Sequence, residues 1–249
     1  MKTLLFIPTY NERENVRRIY DMIKALGLNL DLLFLDDNSP DGTGQLLDEM
    51  ATRDSHLCVI HRSGKLGIGS AHQAAIAWAY GQGYTTFLSM DCDLTHSPEH
   101  IPEFLQHAGD YDVVLGSRFM REESLAGWNL LRKFLTHLGH FLTRYVLRVP
   151  YDATGAFRLY RLDRINRGAF RLIESPGYSF FFESLYVLCL NGVSVKEIPI
   201  ELPVRTYGHS KMQMKDVIAS LRRLINLYRR SFQIKAELRK LKQPETINA

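Results

Sequence analysis

The sequence contains only 3 cysteines among its 249 residues, and they are widely spaced. Cys58, Cys92 and Cys189 form neither a CxxC pair nor a metal-ligand pattern. This cysteine usage excludes a disulfide scaffold and is typical of a reduced, cytoplasmic protein. The composition, 45% hydrophobic and 23% charged, also excludes a collagen-like or wholly disordered chain.

Long apolar runs are missing as well. The run Leu4–Ile7 near the N-terminus stops at Pro8 and is too short for the core of a signal peptide. The longest apolar stretch, Phe180–Leu190, is interrupted by Glu183 and falls below the roughly 20 residues that span a bilayer. We therefore expect no signal peptide and no transmembrane segment, which leaves peripheral attachment to a membrane open.

Charge is nearly balanced over the whole chain, because 31 basic residues oppose 27 acidic ones. Residues 205–249 nevertheless hold 11 of the basic and 3 of the acidic residues, whereas residues 1–204 hold 20 and 24. A basic C-terminal segment on a mildly acidic body indicates a polyanion or an anionic membrane surface as partner. We expect no nucleic acid partner, since no recognised nucleic-acid-binding module accompanies the charge.

The first half of the chain alternates between short β-rich runs and segments with apolar residues at helical spacing. The runs predict strands at Leu4–Phe6, Leu32–Leu35, Val59–Ile60, Phe87–Met90 and Val113–Leu115. The helical spacing predicts helices at Glu12–Leu26, Gly42–Arg53, Ile68–Gly81 and Pro98–His107. Such alternation is typical of an α/β fold with a largely parallel sheet covered on both faces, and these sheets bind ligands at the carboxyl ends of their strands.

After Arg118 the alternation ends. The pattern predicts, in order, a long helix, a strand-like segment, a helix and two strands at Trp128–Val149, Ala156–Tyr160, Tyr178–Leu190, Val193–Ile198 and Ile200–Val204. We expect one domain over residues 1–211 and a basic amphipathic helical tail over residues 212–249. One face of the tail helix is predicted to carry Val217, Leu221, Leu224 and Tyr228, with Arg222, Arg223, Arg229 and Arg230 lying off it. This tail packs on the core or faces a membrane or a partner subunit.

Two carboxylates stand one residue apart directly after the predicted strand that ends near Met90. Asp91 and Asp93 cannot both be buried without partners, because buried unpaired charge is costly. A hard divalent cation uses such a pair well, since it binds carboxylate oxygens and keeps positions for substrate phosphates. A solvated turn is the alternative, and a D-x-D pattern taken alone does not decide between the two.

Other chemistry-bearing segments accompany this pair, namely Pro8–Glu12, Asp36–Thr43, Lys65–Ala71, Gly116–Arg118 and Arg205–Lys211. In this order the segments resemble the family 2 glycosyltransferases, and among them the dolichol-phosphate mannose synthase branch, over about residues 3–211. The resemblance implies the three-layer, Rossmann-like GT-A fold of nucleotide-diphospho-sugar transferases. It also implies a predominantly parallel sheet, followed here by the C-terminal amphipathic helix.

The resemblance also assigns a donor site. It places Pro8, Tyr10, Glu12, Asp37, Lys65, Asp91, Asp93, Arg205 and Lys211 on the nucleotide sugar. Asp91 and Asp93 would hold Mg²⁺ or Mn²⁺. Relatives carry a Gln where this chain has Thr95, so a third protein ligand at that position is left open. Simpler structural roles, a helix start at Glu12 and an Asx-turn after Asp37, compete with the donor contacts.

An acceptor site is implied in the second half. Arg118, Arg132 and Thr136 fall on the acceptor-phosphate positions, and the last two lie four residues apart on one helix face. Arg118 is counted with Asp91 and Asp93 as catalytic. Asp152 and Glu183 are expected to orient the sugar or the acceptor.

We therefore expect a metal-dependent, inverting glycosyltransferase acting at the cytoplasmic membrane face. It would transfer a hexose, in the favoured case mannose from GDP-mannose, to a polyprenyl or dolichyl phosphate. A UDP-sugar donor is left open. Two alternatives remain, a same-fold enzyme that uses a saccharide or lipid hydroxyl acceptor and a non-catalytic nucleotide-sugar-binding adaptor.

Overall fold

The structure is a computed structural model that describes residues 1–121, 124, 130–202 and 214–242. The strands β1 to β7 in these residues are Thr3–Thr9, Asp31–Asp36, Leu57–His61, Thr86–Ser89, Val113–Ser117, Arg158–Arg161 and Val195–Pro199. The helices α1 to α8 are Arg13–Ala25, Thr43–Ala51, Ile68–Gly81, Ile101–His107, Leu130–Tyr145, Arg167–Arg171, Phe180–Asn191 and Met214–Lys242. A 3₁₀ turn, Pro98–His100, leads into α4.

All seven strands form one sheet in the order β3-β2-β1-β4-β6-β5-β7. Strands β1 to β4 are parallel to one another, and β7 is parallel to β5. Strand β6 is antiparallel to both of its neighbours. The predicted α/β fold with a largely parallel sheet is therefore confirmed, with one reversed strand that the sequence pattern did not indicate.

Helices cover both faces of the sheet, because its central strands are apolar on both sides. Along β1, Leu4 and Phe6 join one hydrophobic cluster, whereas Leu5 and Ile7 join the other. This alternation follows from the two-residue period of a strand, and a run without polar residues is what a doubly covered strand requires.

The carboxyl ends of β1 and β4 meet at the point where the strand order reverses. The chain passes from β1 outward through β2 to β3 and then returns to the other side of β1 as β4. Open α/β sheets bind ligands in the crevice at such a switch point. Tyr10 follows β1 there, and Asp91 comes two residues after the end of β4.

Two elements differ from the sequence-based prediction. The predicted strand Ile200–Val204 is wrong over its described part, because Ile200 and Leu202 are outside any strand and donate backbone hydrogen bonds to Ser117 and Ser124. Helix α6 was not predicted, since its 5 residues are too few to show a helical period. Its N-terminus is capped by Asn166, whose side chain accepts a hydrogen bond from the Gly168 backbone.

Helix α8 packs on the body, and of the apolar face predicted for it only Leu224 joins the hydrophobic core. Leu224, Leu227, Ile234 and Leu238 join the hydrophobic core. Of the residues predicted to share the apolar face, Leu224 is buried, Val217 is half-buried, and Leu221 and Tyr228 are exposed. Of the four arginines predicted to lie off that apolar face, Arg223 and Arg230 form ion pairs with Glu174 of the body.

No helix in the described ranges has the length and apolar character needed to cross a membrane.

Candidate active site

The first part of the site lies at the carboxyl ends of β1, β2 and β3. The Lys65 ammonium lies 4.6 Å from the centre of the Tyr10 ring, which brings two predicted nucleotide residues from different loops together. Pro8 is in register with Leu35 of β2, next to the end of that strand. An aromatic ring can stack on a nucleobase, and a neighbouring cation can pair with a phosphate, so this couple suits a nucleotide.

Much of the acidic segment that follows β2 builds the turn itself. The Asp36 carboxylate is buried and accepts hydrogen bonds from the Ser39 backbone at 2.9 Å and from the Thr9 hydroxyl at 3.2 Å. Asp41 accepts from the backbone of Thr43 at 3.0 Å. The turn that the sequence indicated is therefore present, and it leaves Asp37 as the carboxylate that faces the basic neighbours of the site.

Asp37 forms an ion pair with Arg62, a residue that the sequence-based prediction missed. The Arg62 Nε donates to Asp37 Oδ1 at 2.5 Å. The two Nη atoms donate to the Ser70 hydroxyl at 2.7 Å and to the Gly67 carbonyl at 3.1 Å. Burial raises the pKa of Asp37 above its ordinary value, although the Arg62 guanidinium acts in the opposite direction. Its position in the sequence could have identified Arg62, because a cation directly after strand β3 lies at the ligand-binding edge of the sheet.

Glu12 lies directly before α1, which agrees with the structural role of a helix start that the sequence also indicates. Its Oε2 accepts a hydrogen bond from the Asn15 side chain at 2.7 Å, and its backbone N–H donates to the Thr43 hydroxyl at 3.0 Å. The first and second loops are thereby joined. The donor contact predicted for Glu12 stays a prediction beside this structural role.

The glycine-containing turn at the start of α3 requires glycine for close packing. A Cβ on Gly67 would overlap the carbonyl oxygen of Pro176, and one on Gly69 would overlap the carbonyl oxygen of Ser175. Gly67 also has a φ of 100°, a conformation that side chains disfavour. The backbone N–H of Ser70 donates to Pro176 at 3.0 Å. The turn is thus seated directly on residues 175–177.

The paired carboxylates lie beyond the end of β4. The Asp91 side chain is 33% exposed, whereas Asp93 is buried. The backbone N–H and the hydroxyl of Thr95 donate to Asp93 Oδ1 at 3.1 and 2.6 Å. The backbone N–H of Asp91 donates to His96 Nδ1 at 2.9 Å. Leu94, between Asp93 and Thr95, has a φ of 61°, which is a strained value for a leucine. Such strain persists only where the surrounding contacts hold the turn in place.

This donor set fits Mg²⁺ or Mn²⁺. Both ions take carboxylate oxygens, and Mg²⁺ commonly uses one or two carboxylates together with waters and substrate phosphates. Thr95 fixes the orientation of Asp93, which is the function that residues behind a metal ligand serve. In the described residues no group of three or more His, Cys, Asp and Glu side chains is arranged to hold a metal. An ion held by Asp91 and Asp93 would keep coordination positions for substrate phosphates.

Arg118 and Asp152 form a buried, two-point ion pair beside the carboxylates. The Arg118 Nε and Nη2 donate to Asp152 at 2.8 and 2.6 Å, and the Arg118 backbone N–H donates at 3.1 Å. Burial opposes ionisation, but the guanidinium and these hydrogen bonds lower the pKa of Asp152 to about 2. Burial likewise opposes the charge on Arg118, but Asp152 and, to a smaller extent, Asp91 raise its pKa above the ordinary value.

Helix α5 contacts Phe119, the residue that follows Arg118. The His140 ring stacks on Phe119, with ring centres 4.0 Å apart, and Thr136 lies one helical turn before His140. Thr136 is thus on the helix that approaches Arg118, and its predicted contact with the acceptor phosphate stays a prediction. The side chain of Arg132, together with Arg205 and Lys211, lies outside the described residues.

The partners of Glu183 in this structure are the loop before α7 and helix α8. It is fully buried in the first turn of α7, and its two oxygens accept hydrogen bonds from the backbone of Glu174 at 2.9 Å and of Ser175 at 3.1 Å. The Arg223 guanidinium of α8 pairs with the same carboxylate. Glu183 therefore joins the loop before α7 to helix α8 in this structure.

Comparison with known proteins defines the family. Residues 5–171 match the family model described as glycosyl transferase family 2. The chain belongs to this family. It is 34% identical to a polyprenol monophosphomannose synthase of Mycolicibacterium smegmatis, over 87% of this chain and 83% of the relative. It is also 34% identical to an undecaprenyl-phosphate mannosyltransferase of Micrococcus luteus, over 85% of this chain and 88% of the relative.

Solved glycosyltransferase structures share the fold. The fragment 1–349 of S. aureus TarS in complex with UDP-GlcNAc superposes with a TM-score of 0.58 at 14% identity, covering 97% of this chain and 72% of that fragment. The mannosyltransferase PcManGT from Pyrobaculum calidifontis, in complex with GDP-Man and Mn²⁺, gives 0.55 at 14% identity, covering 95% and 73%. The predicted GT-A fold is therefore confirmed, and this family 2 member is a glycosyltransferase.

Proposed function

We propose that this glycosyltransferase transfers mannose from GDP-mannose to a polyprenyl phosphate, with Mg²⁺ or Mn²⁺ at Asp91 and Asp93. The observation that carries the proposal is the juxtaposition at one sheet edge of the carboxylate pair and the buried Arg118. The mannosyltransferase names of both 34%-identical relatives support the choice of sugar and acceptor. Pro8, Tyr10, Glu12, Asp37 and Lys65 would then contact the donor, joined by Arg205 and Lys211.

The charges of the site favour a phosphate acceptor over a hydroxyl. A hydroxyl must lose its proton to a general base as it attacks, whereas a phosphate oxygen is already anionic near neutral pH. For a hydroxyl acceptor the candidate bases are the two carboxylates expected to orient the sugar or the acceptor, Asp152 and Glu183, and both are fully buried and paired with an arginine. Neither is placed to take a proton from an acceptor, so a nucleophile that needs no base fits this chain better.

In this mechanism the protein mainly positions two anionic substrates. The bound cation would neutralise the diphosphate leaving group. Arg118, which Asp152 holds in a fixed orientation, would draw the acceptor phosphate toward the sugar together with Arg132 and Thr136. A single in-line displacement of this kind inverts the anomeric centre. The retained carboxylate pair and Arg118 argue against a non-catalytic adaptor.

The direct test is transfer itself. Purified protein is incubated with GDP-mannose, Mn²⁺ and a polyprenyl phosphate, and the mannosyl-phosphate lipid is measured by mass spectrometry. We expect product with GDP-mannose, little with UDP-glucose or UDP-GlcNAc, and none after chelation with EDTA. Transfer to a free polyprenol but not to its phosphate would support the hydroxyl alternative, and preference for a UDP-sugar would overturn the donor.

The metal assignment predicts a measurable role for Thr95. Thr95→Val removes the hydroxyl that orients Asp93, so we expect the Mn²⁺ concentration for half-maximal activity to rise about 10- to 100-fold. Thr95→Ser keeps the hydroxyl and should stay near the native value. The control is Thr52→Val, which changes an exposed threonine at the end of α2. A native Mn²⁺ response in Thr95→Val would contradict the role.

We also propose that the enzyme works at an anionic membrane surface, because a polyprenyl phosphate is a lipid. Apolar side chains project from α5 and α8, among them Phe134, Tyr145, Met214 and Phe232, which is 80% exposed. Basic residues of the same helices accompany them, and each cation near an anionic leaflet contributes about 1 kcal/mol. A membrane-embedded partner subunit would use the same surface.

Binding to vesicles distinguishes these two partners. We expect co-sedimentation with phosphatidylglycerol vesicles, weaker binding to phosphatidylcholine and a decrease with salt. Phe232→Glu should reduce the bound fraction at least severalfold, whereas Met22→Glu on the exposed side of α1 should not. Absence of binding to anionic vesicles would leave the partner subunit as the occupant of this surface.

A further inference from the structure

Residues 174–177, between α6 and α7, lie between two parts of the molecule. On one side they carry the glycine turn at the start of α3, which belongs to the donor site proposed above. On the other side they are held by α7 and α8. This loop therefore links the C-terminal helix to the donor nucleotide pocket.

The contact with the glycine turn is made by backbone and is close. Ser70 donates its backbone N–H to the Pro176 carbonyl at 3.0 Å, and the Gln73 side chain donates to the Ile173 carbonyl at 2.8 Å. No side chain would fit between Gly69 and the loop, since a Cβ there would overlap the carbonyl oxygens of Ser175 and Gly177. The hydrogen bond and this close packing therefore couple the position of the turn to that of the loop.

From the turn, the contacts continue to a predicted nucleotide residue. Arg62 donates to the Ser70 hydroxyl and to the Gly67 carbonyl, and its third contact is with Asp37. One guanidinium thus fixes Asp37 relative to the turn. The placement of Asp37 in the pocket depends on where the turn lies.

On the other side, the loop is held by a charged cluster that reaches α8. The Glu183 carboxylate accepts hydrogen bonds from the backbone of Glu174 and Ser175, and Arg223 donates to both of its oxygens. A further nitrogen of Arg223 donates to the Glu174 side chain at 2.9 Å, and Arg230 donates to the same group at 2.9 Å. Two arginines of α8 and two glutamates of the body therefore fix the loop.

We propose that Arg223 is a positioning residue for the donor nucleotide. It orders Glu183 and Glu174, which hold residues 174–177 against the glycine turn, and the turn in turn places Arg62 and Asp37. The inference rests on the proposed donor site, and it deepens that site by making nucleotide affinity depend on the docking of α8. Charge-assisted hydrogen bonds in a buried setting are strong enough to order such a loop.

The expected effect falls on donor binding. When the loop is loosened, a smaller fraction of the protein has the turn in its binding arrangement, and the apparent Kd rises by the inverse of that fraction. We expect Arg223→Gln to raise the Kd of GDP with Mn²⁺ and the KM for GDP-mannose about tenfold. At saturating donor the arrangement is restored, so kcat should stay within about twofold. A merely structural role would lower the amount of active enzyme and leave KM unchanged.

A second variant protects the test against loss of fold. Arg223→Gln leaves the buried Glu183 without its cation, which destabilises proteins. Glu174→Gln removes the ion pairs of Glu174 with Arg223 and Arg230, and Glu174 is half-exposed. We expect this variant to raise the Kd of GDP as well, but by a smaller factor. The matched controls are Arg222→Gln and Arg229→Gln, which remove the same charge from exposed positions of α8. They should bind GDP as the unmodified protein does.

Hydrogen exchange separates this inference from the proposed function. Amides of residues 67–70 and 174–177 should exchange faster in Arg223→Gln and in Glu174→Gln than in the unmodified protein or in the controls. Native exchange at residues 67–70 in a folded variant would overturn the coupling, whatever the donor is. A different result would be that the unmodified protein does not bind GDP, while residues 67–70 still exchange faster in the two variants. This result would overturn the proposed donor and support the coupling.

Discussion

Asp91→Ala is expected to abolish nearly all transfer activity while leaving the protein folded. Asp91 is the more exposed of the two carboxylates, so its loss removes a metal ligand without opening a cavity in the core. Charge stabilisation by a bound cation is worth several kcal/mol in the transition state, and each 1.36 kcal/mol is a factor of ten. We therefore expect kcat/KM to fall about a thousandfold, with kcat reduced even at high Mn²⁺.

The matched control for this change is Asp110→Ala. Asp110 is also exposed, but it lies in the loop before β5, at the opposite end of that strand from Ser117 and the site. Its replacement should leave both activity and Mn²⁺ dependence at the native level. Full activity of Asp91→Ala with Mn²⁺ or Mg²⁺ would show that the carboxylate pair does not hold the catalytic metal.

The position of the site could be predicted because it depends on local patterns. Apolar runs mark the buried strands, and the polar residues that follow them must then gather at the carboxyl edge of a parallel sheet. Tyr10, Asp37, Lys65 and Asp91 lie there for this reason. Placing Asp91 and Asp93 next to the β1 loop also requires the strand order, in which β4 lies beside β1. A parallel sheet allows this order, but the sequence pattern does not determine it.

The ion pairs of the site could not be predicted in the same way. Arg62 and Asp37 are 25 residues apart, and Arg223 and Glu183 are 40 apart, so neither pair follows a helical or strand period. Arg118 and Asp152 were both singled out from the sequence, but their pairing follows from the tertiary fold. The roles assigned to the donor and acceptor residues stay predictions until substrate is bound.

The single apolar face predicted for α8 combines residues of two apolar faces that this helix has. Leu224, Leu227, Ile234 and Leu238 enter the core, while Leu221, Ile225, Tyr228 and Phe232 form a second, exposed series. Both series have helical spacing, so hydrophobicity alone could not choose between them. The ion pairs of Arg223 and Arg230 favour the observed packed face, because their glutamate partners lie on the body.

Asp152→Ala is expected to cause the largest loss of stability among single changes near the site. Removing one partner of a buried ion pair leaves the other charge uncompensated, which typically costs about 3–5 kcal/mol. Asp152 is fully buried and Arg118 nearly so, and the change removes three hydrogen bonds that Arg118 donates. Urea denaturation followed by circular dichroism should show the lower free energy of unfolding at neutral pH.

Acid should reduce this difference between Asp152→Ala and the unmodified protein. The pKa of Asp152 is lowered to about 2 in the folded state, against about 3.9 for an unfolded aspartate. The ionised carboxylate therefore contributes its full stability above about pH 4 and loses it as the pH falls through about 2. As control, Glu201→Ala breaks the exposed pair with Arg121 and should cost less than about 1 kcal/mol. A loss in Asp152→Ala as small as in this control would show that the buried pair does not stabilise the site, and Arg118 would then need another anchor to present its charge to a phosphate.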